Sequence, residues 1–198
     1  MNVIMHSIIS SWRRIESWLE ANAPEDYFAL MPPARDSDLE VLENQVGFPL
    51  HSHVADLLRA CNGVASNTVG GNFFLNARLN DSLRIADEFA SHIAIVDQMS
   101  REHDSFYFES MRPISGIEYW LPIARMNSGA VVYINHQPGA SFGEVGEFSP
   151  HMGFDVIKLA ASLADLLDGM ANSLENGVPL LGRMPSLHAG KRALLTWS

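Results

Sequence analysis

Between His51 and Cys61 the sequence reads "HSHVADLLRAC", which brings two imidazoles and the chain's single thiol close together. Imidazole and thiolate are the usual zinc ligands, and a thiolate beside an imidazole is a nucleophile with its base. The spacing argues against both uses. His51 and His53 are two apart at the mouth of an expected helix, where they point in different directions instead of sharing a metal as an i, i+4 pair would. They are expected at the surface or as caps. Cys61 continues the stripe Val54, Leu57, Leu58 at i, i+3, i+4 and i+7, so it is expected as a small buried hydrophobe. His92, His103, His136, His151 and His188 stand alone, with no Cys or carboxylate at a familiar ligand spacing. The sequence therefore points to no metal site, no cofactor and no catalytic residue.

Other chemistries fare no better. There is no GxSxG elbow. "VGGN" and "PGASFG" lack the GxGxxG and GxxxxGK[ST] frames that present backbone amides to phosphate, and they read as turns. Glu144 and Glu147 lie on one expected strand facing different ways, which is wrong for a general acid and base pair. Trp12, Trp18, Trp120 and the "FYF" run at 106–108 are expected in the core, because aromatics bury the most apolar area per residue.

The elements that would position these groups follow from periodicity. Ile8, Trp12, Ile15 and Leu19 share one helical face. Pro24 then ends the helix, and "FALMPPARD" reads as extended. From Asp38 to Val64, "DLEVLENQVGFPLHSHVADLLRACNGV" gives two short helices. The first has a Ser37/Glu40 capping box, a stripe of Leu39, Leu42 and Val46, and a Gly47 stop; Asn62-Gly63 closes the second. "NTVGGNFFLNARL" suggests a turn and a strand, and "DSLRIADEFASHIAIVDQMSREH" a helix with an acidic outer face. "DSFYFES", "GIEYWLPIA", "GAVVYINH" and "GEVGEFS" are β-branched or aromatic runs that read as an antiparallel sheet, with "MNSG" as a hairpin turn. The helical period returns from Asp155 to Leu174, with Asp155 as cap and Leu159, Leu163, Leu166, Leu167, Met170 and Leu174 on one face. Helices, a meander of strands and a closing helix make an α+β pattern: one domain over 1–177 and an irregular tail over 178–198.

With 198 residues and 47% hydrophobic content, the chain is long enough for one well-buried domain. A formal charge of −10 repels phosphate backbones and anionic membranes and attracts basic partners. That disfavours a helix-turn-helix use of the 38–64 pair, whose second helix offers only Arg59 as a cation. No signal peptide pattern opens the chain, and no run of about 18 apolar residues occurs. A cytoplasmic protein is expected, and a lone cysteine fits a reducing compartment.

Four blocks in this order resemble the SUKH superfamily, whose eukaryotic members regulate yeast cell-wall and glucan synthesis. They are "WRRIESWL", "LMPPARDSDLEVLENQVGFPLHSHVADLLRACNG", "YWLPIARMNSGAVVYINHQPGASFGEVGEF" and "KLAASLADLLDGMANSLENG". The resemblance implies an α+β adaptor fold without an active site, with N-terminal helices and a C-terminal helix packed around a mainly antiparallel sheet. In bacteria such proteins are commonly immunity proteins that neutralise a toxin. A basic toxin domain is then the expected partner, and a regulatory adaptor for cell-wall or glucan synthesis is the alternative. The partner surface is expected on the acidic face of the segment outside the four blocks, at Asp87, Glu88, Glu102, Asp104 and Glu109; a merely solvated helix face is the ordinary alternative.

Overall fold

The computed structural model describes residues 7–101, 116–149, 156–188 and 193–198. Helix α1, Ile8–Asn22, starts where the Ser7 hydroxyl accepts from the Ser10 N–H, and it buries Ile8, Trp12, Ile15 and Leu19 as its spacing requires. Pro24 does not simply break the chain. It opens a single turn, α2, Pro24–Tyr27, because proline is tolerated at the first helical position.

Helix α3 spans Asp36–Val46 and α4 spans Ser52–Ala60. The stripes Leu39, Leu42, Val46 and Val54, Leu57, Leu58, Cys61 are buried, and Gly47 takes φ +82°, the left-handed stop. The cap of α3 differs from the expected Ser37/Glu40 box. The helix begins one residue before Ser37, and the Asp38 carboxylate accepts from the Arg35 backbone N–H at 2.9 Å and from its guanidinium at 2.8 Å. Asp38 thus satisfies an unpaired amide and engages a cation at once, which Glu40 is too far along the helix to do.

Strands β1 (Ala77–Leu79), β2 (Trp120–Met126), β3 (Val131–Asn135), β4 (Val145–Phe148) and β5 (Val156–Ala160) form one antiparallel sheet in sequence order. The Met126–Gly129 turn joins β2 to β3, as expected, with Gly129 at φ +89°. Pro122 is tolerated inside β2 because the β2–β3 register shifts there and β1 pairs only from Ala124 onward. Helix α5, Ser82–Arg101, connects β1 to the later strands. The "DSFYFES" run and Asp155 lie outside the described residues.

The closing helix is shorter than its period suggests. Val156–Ala160 is strand β5, paired with β4, and α6 covers Leu163–Asn176 with the Ser162 hydroxyl as cap. Val156, Ile157 and Leu159 fit either period, and the free edge of β4 decides for the strand. Leu163, Leu166, Leu167, Met170 and Leu174 are buried against α1 and the sheet. Arg14 fastens the two helices, donating to Asp168 Oδ1 at 2.8 Å, Asn172 Oδ1 at 2.6 Å and both oxygens of Glu175.

Segment 178–198, expected as an irregular tail, contains a two-stranded ribbon of β6 (Pro185–Leu187) and β7 (Leu195–Trp197). Leu195 and Trp197 enter the main core, and the Trp197 indole donates to the Phe73 carbonyl at 2.7 Å. The buried Asp26 carboxylate accepts from Gly71 N–H at 2.6 Å and Leu195 N–H at 2.7 Å, binding α2, the 70–71 turn and β7 together. At Gly70 a Cβ would lie 2.2 Å from the Glu25 carbonyl, so only glycine lets that turn approach α2.

Candidate functional site

The sheet has two apolar faces. Leu121, Ile123, Val132, Ile134 and Val145 face the helices of the main core, whereas Trp120, Val131, Tyr133 and Phe148 form a second cluster with Ile117. Alternation along β2, β3 and β4 produces this split. Trp120 and Tyr133 stack with centroids 3.9 Å apart at 7°, and Phe148 stands tilted against both. Gly146 makes room for the tyrosine, since a Cβ there would meet the Tyr133 hydroxyl at 2.4 Å.

Helix α5 carries two stripes. Ile85, Ala86 and Phe89 enter the main core. Glu88, Ser91, His92, Ile95 and Val96 recur at i, i+3, i+4, i+7 and i+8 and, with Trp120, Pro122, Arg125, Val131 and Phe148, line an open cleft with about 40 Å³ of space. Within it Arg125 Nε donates to Glu88 Oε1 at 2.9 Å, and Arg84 Nε approaches the same oxygen to 3.8 Å. Glu88 Oε2 is buried, and among the described residues no donor reaches it. His92 Nε2 donates to the Ile117 carbonyl at 2.8 Å, because that oxygen can only accept. Burial lowers the His92 pKa, so the ring is neutral near pH 7.

Of the five acidic residues expected as a partner surface, Asp87 is exposed on α5, and Glu88 turns into the cleft with its side chain 12% accessible. Glu102, Asp104 and Glu109 lie outside the described residues. Arg125, Ser91 and His92 were not among the expected site residues. The i, i+4 recurrence of Glu88 and His92 was the available signal; the contact with Arg125 across the fold had none.

The histidines are less isolated than their spacing suggests. His136 meets His51 across the fold: the His51 backbone N–H donates to His136 Nε2 at 3.0 Å, and His136 Nδ1 donates to the Ile134 carbonyl at 3.1 Å. Burial pushes the His136 pKa down to about 4. The His51 and His53 rings sit 4.7 Å apart, and His51 Nδ1 caps α4 by accepting from the His53 N–H. Phe48 and Phe142 flank the group. Among the described residues no group of three or more His, Cys, Asp or Glu is placed to hold a metal ion.

Cys61 is buried with its Sγ 3.2 Å from the Gly63 carbonyl, and burial pushes its pKa up to about 12, the reverse of an activated thiolate. Glu144 pairs with Lys158 at 2.6 Å and Glu147 with Arg183 at 3.2 Å, so the two carboxylates serve different contacts. No helix among the described residues is long and apolar enough to cross a membrane.

The fold and its motif order agree with a family comparison: the SMI1 / KNR4 family (SUKH-1) matches residues 33–169. The chain belongs to that family. The matched SUKH-1 region runs from the extended segment before α3 into α6 and includes the whole five-stranded sheet. Helix α1 and the β6–β7 ribbon lie outside it. No curated protein matches the chain. SUKH-1 membership implies, in general terms, a protein that works through contacts with other proteins.

Proposed function

We propose that this SUKH-1 protein is a bacterial immunity protein that neutralises a cognate toxin by stoichiometric binding in the cytoplasm, without catalysis, cofactor or metal. The observation that carries the reading is family membership combined with a formal charge of −10. A toxin that acts on nucleic acid is basic where it grips its substrate, and an acidic binder can occlude that surface with fast, salt-sensitive association. Asp87, Glu88, Glu102, Asp104 and Glu109 are the proposed acidic contacts, with Asp87 exposed on α5.

Co-expression with the toxin domain of the neighbouring reading frame tests the proposal. The chain should restore growth, and D87K combined with E102K should weaken the complex most at low salt. No protection from that toxin would defeat the immunity reading and favour the alternative in the same family, a regulatory adaptor tied to cell-wall or glucan synthesis.

A further inference from the structure

We propose that Leu181, at the tip of the turn between α6 and β6, is an anchor that enters an apolar pocket of the protein partner. The inference rests on the reading that this chain acts by binding protein, and it names the place and the chemistry of one contact.

The chain contains two turns of the same build. Phe74 and Ala77 exchange both backbone hydrogen bonds around Leu75-Asn76, and Leu180 and Arg183 do the same around Leu181-Gly182. All four central residues have positive φ, at +54°, +67°, +52° and +75°. Turns of this kind favour Asn, Asp and Gly, because the left-handed region crowds a Cβ against the following carbonyl. A leucine at the first central position is therefore a cost in both. In the first turn the fold offsets it: Leu75 is 0% exposed in the main core, and Asn76 exchanges hydrogen bonds with the Trp197 backbone. In the second, Leu181 is 46% exposed, and a Cβ at Gly182 would meet nothing within 4 Å, so the tip projects into solvent. Strain kept at an exposed tip points to what the tip meets.

The tip is also held ready. Leu180 packs on the main core, and the Arg183 guanidinium donates to the Leu75 carbonyl at 3.4 Å and to Glu147 at 3.2 Å, tying the second turn to the first and to β4. A knob fixed in advance loses little freedom on docking. Its surroundings select the occupant. Residues 178–187, "VPLLGRMPSL", hold no carboxylate in a chain of charge −10, and their one cation is paired with Glu147. Val178, Met184 and Leu187, at every third position along the same segment, are exposed as well. Such a segment can be covered without stranding a charge, as the centre of a protein interface requires. The charge of the whole chain repels a second copy and an anionic bilayer alike, and it favours a basic protein whose surface has an apolar pocket.

The test has two parts, both on the full chain. In urea titrations L181N should leave the midpoint unchanged or raise it, because asparagine suits the turn, whereas L75N in the buried turn should weaken folding about a hundredfold or more. In cells of the source organism, the chain with the photo-crosslinker p-benzoylphenylalanine substituted for Met184 should form an adduct with another protein, and the same chain carrying L181N should not. That protein, once identified, should bind L181N roughly fivefold more weakly than the unchanged chain, the share of a leucine still left to bury. A midpoint lowered by L181N as by L75N, an adduct that persists in L181N, an adduct of two copies, an adduct with lipid, or no adduct would each overturn the proposal. An adduct that depends on Leu181 but joins the chain to a protein other than a toxin would refute the immunity reading and leave the anchor standing.

Discussion

His136 is held neutral by its surroundings. Its Nε2 accepts from the His51 N–H, its Nδ1 donates to Ile134, and burial lowers its pKa from 6.5 to about 4. Below the unfolded value the unfolded chain takes up a proton that the folded chain refuses, so this contribution is complete above pH 6.5 and is lost as pH falls towards 4. At about 1.4 kcal/mol per pKa unit, the loss is about 3 kcal/mol. His51 and His92, also lowered by burial, act in the same direction. Asp26 acts in the opposite sense: burial raises its carboxyl pKa, so protonation in acid relieves the folded state more than the unfolded one. H136Q, which keeps an acceptor for the His51 N–H, should flatten the loss of stability between pH 6.5 and 4 in urea titrations. An unchanged slope would show that His136 does not carry it.

Some of these residues were legible and others were not, for a definite reason. Cys61 announced its burial through its place in a helical stripe, and the His51 cap followed from its position ahead of α4. The approach of His136 to His51 and of Arg125 to Glu88 joins residues 85 and 37 apart, which no local pattern encodes.

At the scale of elements, helices α1, α3, α4 and α6 follow from apolar spacing, because each buries one stripe against the same core. Strand β5 does not, since Val156, Ile157 and Leu159 suit both periods and only the pairing with β4 settles the matter. The β6–β7 ribbon was hidden by its prolines and glycines, although Leu195 and Trp197 belong to the core. Trp197 is 4% exposed, and its indole donates to Phe73. W197A should therefore lower unfolding stability by about 4 kcal/mol, the cost of removing a large buried aromatic. A loss below about 1 kcal/mol, within the range of surface substitutions, would mean that the ribbon is not integral to the core.

At the scale of the whole molecule, the acid excess and SUKH-1 membership converge on a protein that binds another protein. Electrostatic steering acts on encounter, so association with a basic toxin domain should slow as salt rises while dissociation changes less. The most direct measurement of the central claim is a titration of the neighbouring toxin domain's activity with this chain. Stoichiometric neutralisation predicts a linear fall that reaches zero at one equivalent. Unchanged toxin activity at one equivalent and beyond, or progressive inactivation by a small fraction of an equivalent as an enzyme would produce, would contradict it.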